Sequence, residues 1–203
     1  MPGYPEFREK SVSWTWFRLG PEYDPDPARR KAFSGQQFPV HAFDDLCKQT
    51  SPRWRQSSQQ TEEAYDEYVC SFPDGCVILS HSQGGRFSTA AAHSRPDFVK
   101  AHISLEPFYL SPPHKELDLS LVEHIPQLFI CGDYLDADPA WIEHRDMSLA
   151  YVSALKARGA DATLVELPSI GIKGNSHMIH NDRNSDDIAD FIQKWMHERG
   201  LMK

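Results

Sequence analysis

Residues 76–87 read CVILSHSQGGRF. An apolar stretch runs into a polar, glycine-rich one with Ser82 at the junction, and Gly84 and Gly85 open a helical pattern behind it. Ser80-His81-Ser82-Gln83-Gly84 nearly spells the G-x-S-x-G of a nucleophile elbow, with serine where the first glycine belongs. An elbow holds its nucleophile on a tight strand-to-helix turn where neighbouring chain passes close, so the positions two before and two after must be small. Ser80 and Gly84 both are. The helix N-terminus behind Ser82 favours the negative charge that forms during acyl transfer. The same letters also fit a polar strand-to-helix turn that carries no chemistry.

From residue 76 onward short apolar runs alternate with helical patterns, the mark of a mostly parallel sheet flanked by helices. CVIL precedes a helix from about Gln83 to Ser94 that Pro96 stops. VKAHISLE and PQLFICGD are the next strands, PAWIEHRDMSLAYVSALKARG is a long helix with Gly159 as its C-cap, and DATLVELP is a fourth strand. A loop from Ser169 to Asn184 leads to a closing amphipathic helix, with Ser185 as N-cap and Ile188, Phe191, Ile192 and Trp195 on one face. Upstream, TEEAYDEYVCSF predicts a helix starting at Thr61, with Ala64, Tyr65, Tyr68 and Val69 on one face. Residues 1–60 are rich in Trp, Pro, Gln and charge and predict helices and loops. The expected organisation is a single α/β domain with a cap-like segment at 1–60 and a catalytic core at 61–203.

The 203 residues carry a formal net charge of −8, with 40% hydrophobic and 25% charged residues. That is a globular composition. The charge and the lack of a basic stripe argue against nucleic acid as a partner. No apolar run approaches the roughly 18 to 20 residues needed to span a bilayer, and the first residues lack the order of a signal peptide. The expectation is therefore a cytoplasmic protein with no membrane partner. Cys47, Cys70, Cys76 and Cys131 lack zinc-like spacing and predict buried free thiols.

A serine hydroxyl needs a base to remove its proton, and the base needs an acid to orient it; in this architecture they follow in the order Ser, acid, His. His177, in GIKGNSHMIHNDRN, lies in the loop after the last strand, where Gly171 and Gly174 let the chain fold over the sheet's carboxyl end. His180 is its nearest rival, and the histidine pair, followed by Asp182, could also be misread as metal ligands, but no further ligand at a telling spacing supports that. His81 sits beside Ser82 and predicts a structural residue that points elsewhere, while His144 and His197 fall in helices. For the acid, Glu106 ends the apolar run HISLE, where an unpartnered carboxylate is costly. Asp133 and Asp136 in CGDYLDADP occupy the next strand end. The residues alone leave Glu106 and the two aspartates level.

LSHSQGG, SLEPF, FPV and above all GNSHMIHNDRN followed by DIADFIQKW resemble the α/β-hydrolase esterases related to the esterase 713 type, found in bacteria and fungi. The likeness runs from about Ser13 to the C-terminus. It implies an α/β-hydrolase fold with Ser82 as nucleophile, Glu106 as acid and His177 as base, acting on a small-molecule ester with no cofactor and no metal. The chain departs from that family in having no early strands and no His-Gly loop to donate to an oxyanion hole. It is therefore expected to be the carboxyl-terminal half of a member, lacking the N-terminal strands and keeping the backbone N–H of Gln83 as one oxyanion donor. A bare sheet edge of that kind invites pairing with another chain, a homodimer included. Trp14, Trp16, Phe17 and Tyr23 are candidates to line an apolar cap, though core packing is the more ordinary role. The rival expectation is a degenerate or incomplete hydrolase domain that binds without turnover.

Overall fold

In the computed structural model, which describes residues 4–52, 54, 57–108 and 117–202, the four apolar runs form one parallel sheet. β1 (Cys76–His81), β2 (Val99–Leu105), β3 (Gln127–Cys131) and β4 (Ala162–Glu166) lie side by side in chain order. Parallel neighbours require crossovers. α4 (Gly84–Ser94) makes the first and α5 (Pro139–Ala157) the third, and α6 (Ser185–His197) closes the chain. Register decides where the chemistry collects: His81 pairs with Leu105, and Leu105 with Ile130. Ser82, Glu106 and the loop after β3 therefore leave the sheet together at its carboxyl edge, where α/β folds build their sites.

Side chains alternate across the strands and feed two cores. Ala101, Ile103, Leu105, Leu128 and Ile130 meet Ile188, Ile192 and Trp195 of α6 on one face. On the other, Phe129 and Ala162 meet Ala91 and Ala92 of α4 and Tyr151, Val152 and Leu155 of α5. Each of the three buried α6 side chains contributes about 1.5 to 3 kcal/mol. β1 and β4 are the outer strands among the described residues, and Leu79 of β1 is 58% exposed.

The amino-terminal segment is helix and loop. α1 (Lys10–Trp16) and α2 (Phe43–Lys48) pack with Trp14, Leu19, Phe38 and Phe43 into a third, smaller core that Met178 joins. α3 (Ser58–Cys70) begins at Ser58 rather than Thr61, and its expected apolar face is narrower. Val69 is buried and Tyr65 half-buried against Phe87, while Ala64 and Tyr68 face solvent, Tyr68 lying edge-on to Phe72. Its contact with α4 is confined to one narrow side. α6 starts at Ser185, so Asn184 takes the cap position and makes no cap bond, because its amide is engaged by Asn175. All four cysteines are free, with Cys131 buried and the others half-buried. Among the described residues no helix is long and apolar enough to cross a membrane.

Candidate active site

Ser82 sits between β1 and α4 with φ at 55°, the left-handed region that costs a non-glycine residue roughly 1 to 2 kcal/mol. Its N–H donates to the Leu105 carbonyl at 3.0 Å, and its own carbonyl accepts from Gly85 at 2.9 Å and Phe108 at 3.2 Å. Those bonds turn the side chain out of the sheet into a cavity of about 1010 Å³. Gln83, the residue before α4, lines the same cavity.

The serine in place of the elbow's first glycine has a structural reason. Ser80 Oγ donates to the Ile103 carbonyl at 3.3 Å and accepts from Ser88 Oγ at 2.8 Å, and Ser88 lies 2.8 Å from His102 Nε2. This buried polar chain ties β1, α4 and β2 together directly behind the turn. Satisfied buried hydrogen bonds of this kind rigidify a core.

His177 Nε2 lies 2.8 Å from Ser82 Oγ, and His177 Nδ1 lies 3.2 Å from Glu106 Oε2. The imidazole and the carboxylate are both buried. Burial alone would push the Glu106 carboxyl up, but the Arg18 charge and the His177 contacts outweigh it and hold the group ionised, well below the usual carboxylate range. Burial pushes His177 well below the ordinary histidine value against the pull of Glu106, which leaves a neutral ring able to accept a proton. A hydroxyl hydrogen-bonded to such a ring, with a carboxylate on the ring's other nitrogen, is the arrangement that activates a serine oxygen.

The other candidates fall away from this line. Asp133 accepts from the backbone of Tyr134 at 2.8 Å and of Gly174 at 3.0 Å, and Asp136 is exposed. His180 is exposed and meets the His81 ring rather than Ser82. Asp182, considered beside the two histidines as a ligand, instead accepts the Ser176 N–H at 2.8 Å, the Ser176 hydroxyl at 2.7 Å and the Asn175 amide at 3.0 Å. His81 does not point elsewhere. Its Nε2 bonds to the His177 carbonyl at 2.7 Å and its ring lies 4.8 Å from the His177 ring, because the loop carrying His177 descends onto the end of β1. His144 is buried against Phe108. Of the amino-terminal aromatics, Trp16 and Phe17 line the cavity, while Trp14 and Tyr23 pack with Phe43.

Some contributors were invisible in the sequence. Gly132 donates its N–H to Glu106 Oε1, and a Cβ at that position would stand 2.8 Å from the same oxygen and 2.9 Å from the Asn175 carbonyl. Phe17 stacks on the His177 ring at 5.8 Å, with Trp141 at 4.4 Å from it. Arg18, fully buried, reaches Glu106 Oε2 with Nη2 at 2.7 Å. A basic residue inside the run WFRLG is the one signal that pointed to it.

A solved structure described as that of a novel bacterial esterase superposes on this chain with a TM-score of 0.81 and 32% identity over 96% of its length. The chain belongs to the α/β-hydrolase superfamily. It spans 58% of that esterase chain. A protein of a Fungal sp. named "Probable secreted lipase phiG" is 24% identical in an alignment 168 positions long that covers 60% of this hydrolase-fold chain and 46% of the lipase. The chain thus covers about half the length of the relatives it matches. A structure described as that of a predicted CIB-like hydrolase from Thermoplasma acidophilum has a TM-score of 0.48 and 13% identity over 70% of this chain and 62% of its own. No family model matches the sequence.

Proposed function

We propose that this chain carries the catalytic half of a carboxylic ester hydrolase that works through an acyl-enzyme intermediate. What supports the reading is the contact of 2.8 Å between Ser82 Oγ and His177 Nε2 at a left-handed strand-to-helix turn, together with relatives described as an esterase and a lipase. His177 takes the Ser82 proton as Oγ bonds to the ester carbonyl carbon, and Glu106 holds the imidazolium that results. The tetrahedral oxyanion is met by the backbone N–H of Gln83 at the start of α4. His177 then returns the proton to the departing alcohol, and water releases the acyl group by the same steps. The substrate is a small-molecule ester. Residues 1–60 act as a cap over a catalytic core at 61–203, presenting Trp16 and Phe17 to the cavity.

The test is labelling with a fluorophosphonate probe. The folded protein should be labelled and Ser82→Ala should not. Folded protein that takes up no label would sink this reading in favour of a domain that binds without turnover.

A further inference from the structure

We infer that Arg18 is a positioning residue of this site: its buried charge clamps the Glu106 carboxylate against His177 and extends toward acid the range over which the imidazole stays unprotonated. The inference rests on the Ser82, Glu106 and His177 reading above.

Arg18 is wholly enclosed. Burying a guanidinium costs several kcal/mol unless it is paired, and a single hydrogen bond does not offset that cost. Here three contacts converge on it. Nη2 donates to Glu106 Oε2 at 2.7 Å, Nε donates to the Asp133 carbonyl at 2.8 Å, and Cζ lies 4.7 Å from the Trp141 ring centroid. Trp141 in turn lies against the imidazole of His177. The backbone at Arg18 is itself in the left-handed region, φ 56°, as it is at Ser82 and Glu106. Gln36 fastens that strained turn by donating its amide to the Arg18 carbonyl at 2.8 Å. Strain at a non-glycine residue persists only where surrounding contacts over-determine it.

The geometry divides the work at Glu106. Oε1 takes the Gly132 N–H, and Oε2 is shared between Arg18 and His177. An oxygen already bonded to a guanidinium offers less negative potential to an imidazolium than a free carboxylate does. His177 therefore stays neutral further into acid than it would beside an unpaired glutamate. The other titratable or charged groups around the ring are His81 from β1, His180 and Asp182 from its own loop, Asp133 after β3, His144 from α5, and Glu6, Arg8 and Glu9 at the cavity. Among the described residues, Arg18 is the cation that contacts the shared carboxylate.

The experiment is the pH dependence of fluorophosphonate labelling of the full chain, with Arg18→Gln and Arg18→Lys as variants. Glutamine keeps a donor without the charge, and lysine keeps the charge. In Arg18→Gln the acid limb should move up by about one pH unit or more, and in Arg18→Lys it should stay at the wild-type position even if the rate falls. A merely structural role lowers the rate at every pH and moves neither limb. If Arg18→Gln fails to fold, Arg18→Met, which keeps the apolar stem without the charge, decides: an upward shift of the acid limb supports the inference and an unshifted limb overturns it. Wild-type protein that takes no label defeats the hydrolase reading itself. Labelled wild type with an unshifted Arg18→Gln limb defeats only the role of Arg18.

Discussion

Oδ2 of Asp182 accepts the backbone N–H of Ser176 at 2.8 Å, one residue ahead of the imidazole that meets Ser82. With the Ser176 hydroxyl and the Asn175 amide on the same carboxylate, a buried clip closes the loop around His177. Asp182→Ala should slow fluorophosphonate labelling at least about tenfold and lower the melting temperature, since it leaves several buried donors without acceptors. Asp182→Asn, with one acceptor oxygen left, should fall between. A labelling rate unchanged in Asp182→Ala would show that the loop holds its shape without the clip.

Glu106 and the aspartates after β3 can be separated by isosteric amides. Glu106→Gln should cost about a thousand- to ten-thousandfold in kcat, because the ring loses the partner that sets its tautomer. Asp136→Asn, at an exposed position, should leave kcat/KM within about twofold. The reverse ranking in ester hydrolysis assays would move the acid to Asp136.

Two glycines should respond unequally to one methyl group. At Gly132 a Cβ would meet Glu106 Oε1 at 2.8 Å, Asn175 O at 2.9 Å and Ser176 O at 3.2 Å, two of them backbone atoms. Gly132→Ala should lose about 3 kcal/mol or more of stability and take activity with it. At Gly84 the nearest atoms stand 3.6 Å away, ordinary contact, so Gly84→Ala should melt close to wild type although it alters the elbow's consensus letter. Thermal unfolding of the two variants side by side is the check.

Acid should destabilise the fold before the Glu106 carboxylate is protonated. His102 is fully buried, and burial brings its pKa from 6.5 down to about 4, the Gln127 hydrogen bond notwithstanding. The unfolded chain takes up a proton near 6.5 while the folded one resists, so stability is whole above that pH and is lost as pH falls toward 4. The loss for this one group is on the order of 3 kcal/mol, and His177, also depressed, adds to it in the same direction. Urea unfolding from pH 7 to 4 should show the decline, and His102→Gln should make it shallower. A slope unaffected by that substitution would falsify the assignment to His102.

Apolar runs at CVIL, HISL, LFIC and ATLV, each followed or preceded by a helical pattern, are enough to specify a parallel sheet, because burial on both faces demands continuous apolar strands and parallel order demands crossovers. Ser82, Glu106 and His177 were nameable because strand ends in such a sheet share one edge, though the residues alone left Glu106 level with Asp133 and Asp136. Tertiary structure decided what periodicity does not encode. Asp133 turned to backbone amides while Glu106 met the imidazole, a difference of register and a left-handed turn. Arg18, Gly132 and Asp182 act across separations of 88, 26 and 6 residues. Contacts of that range depend on which loops descend on which strand ends, and the apolar pattern that places the strands is silent about the loops.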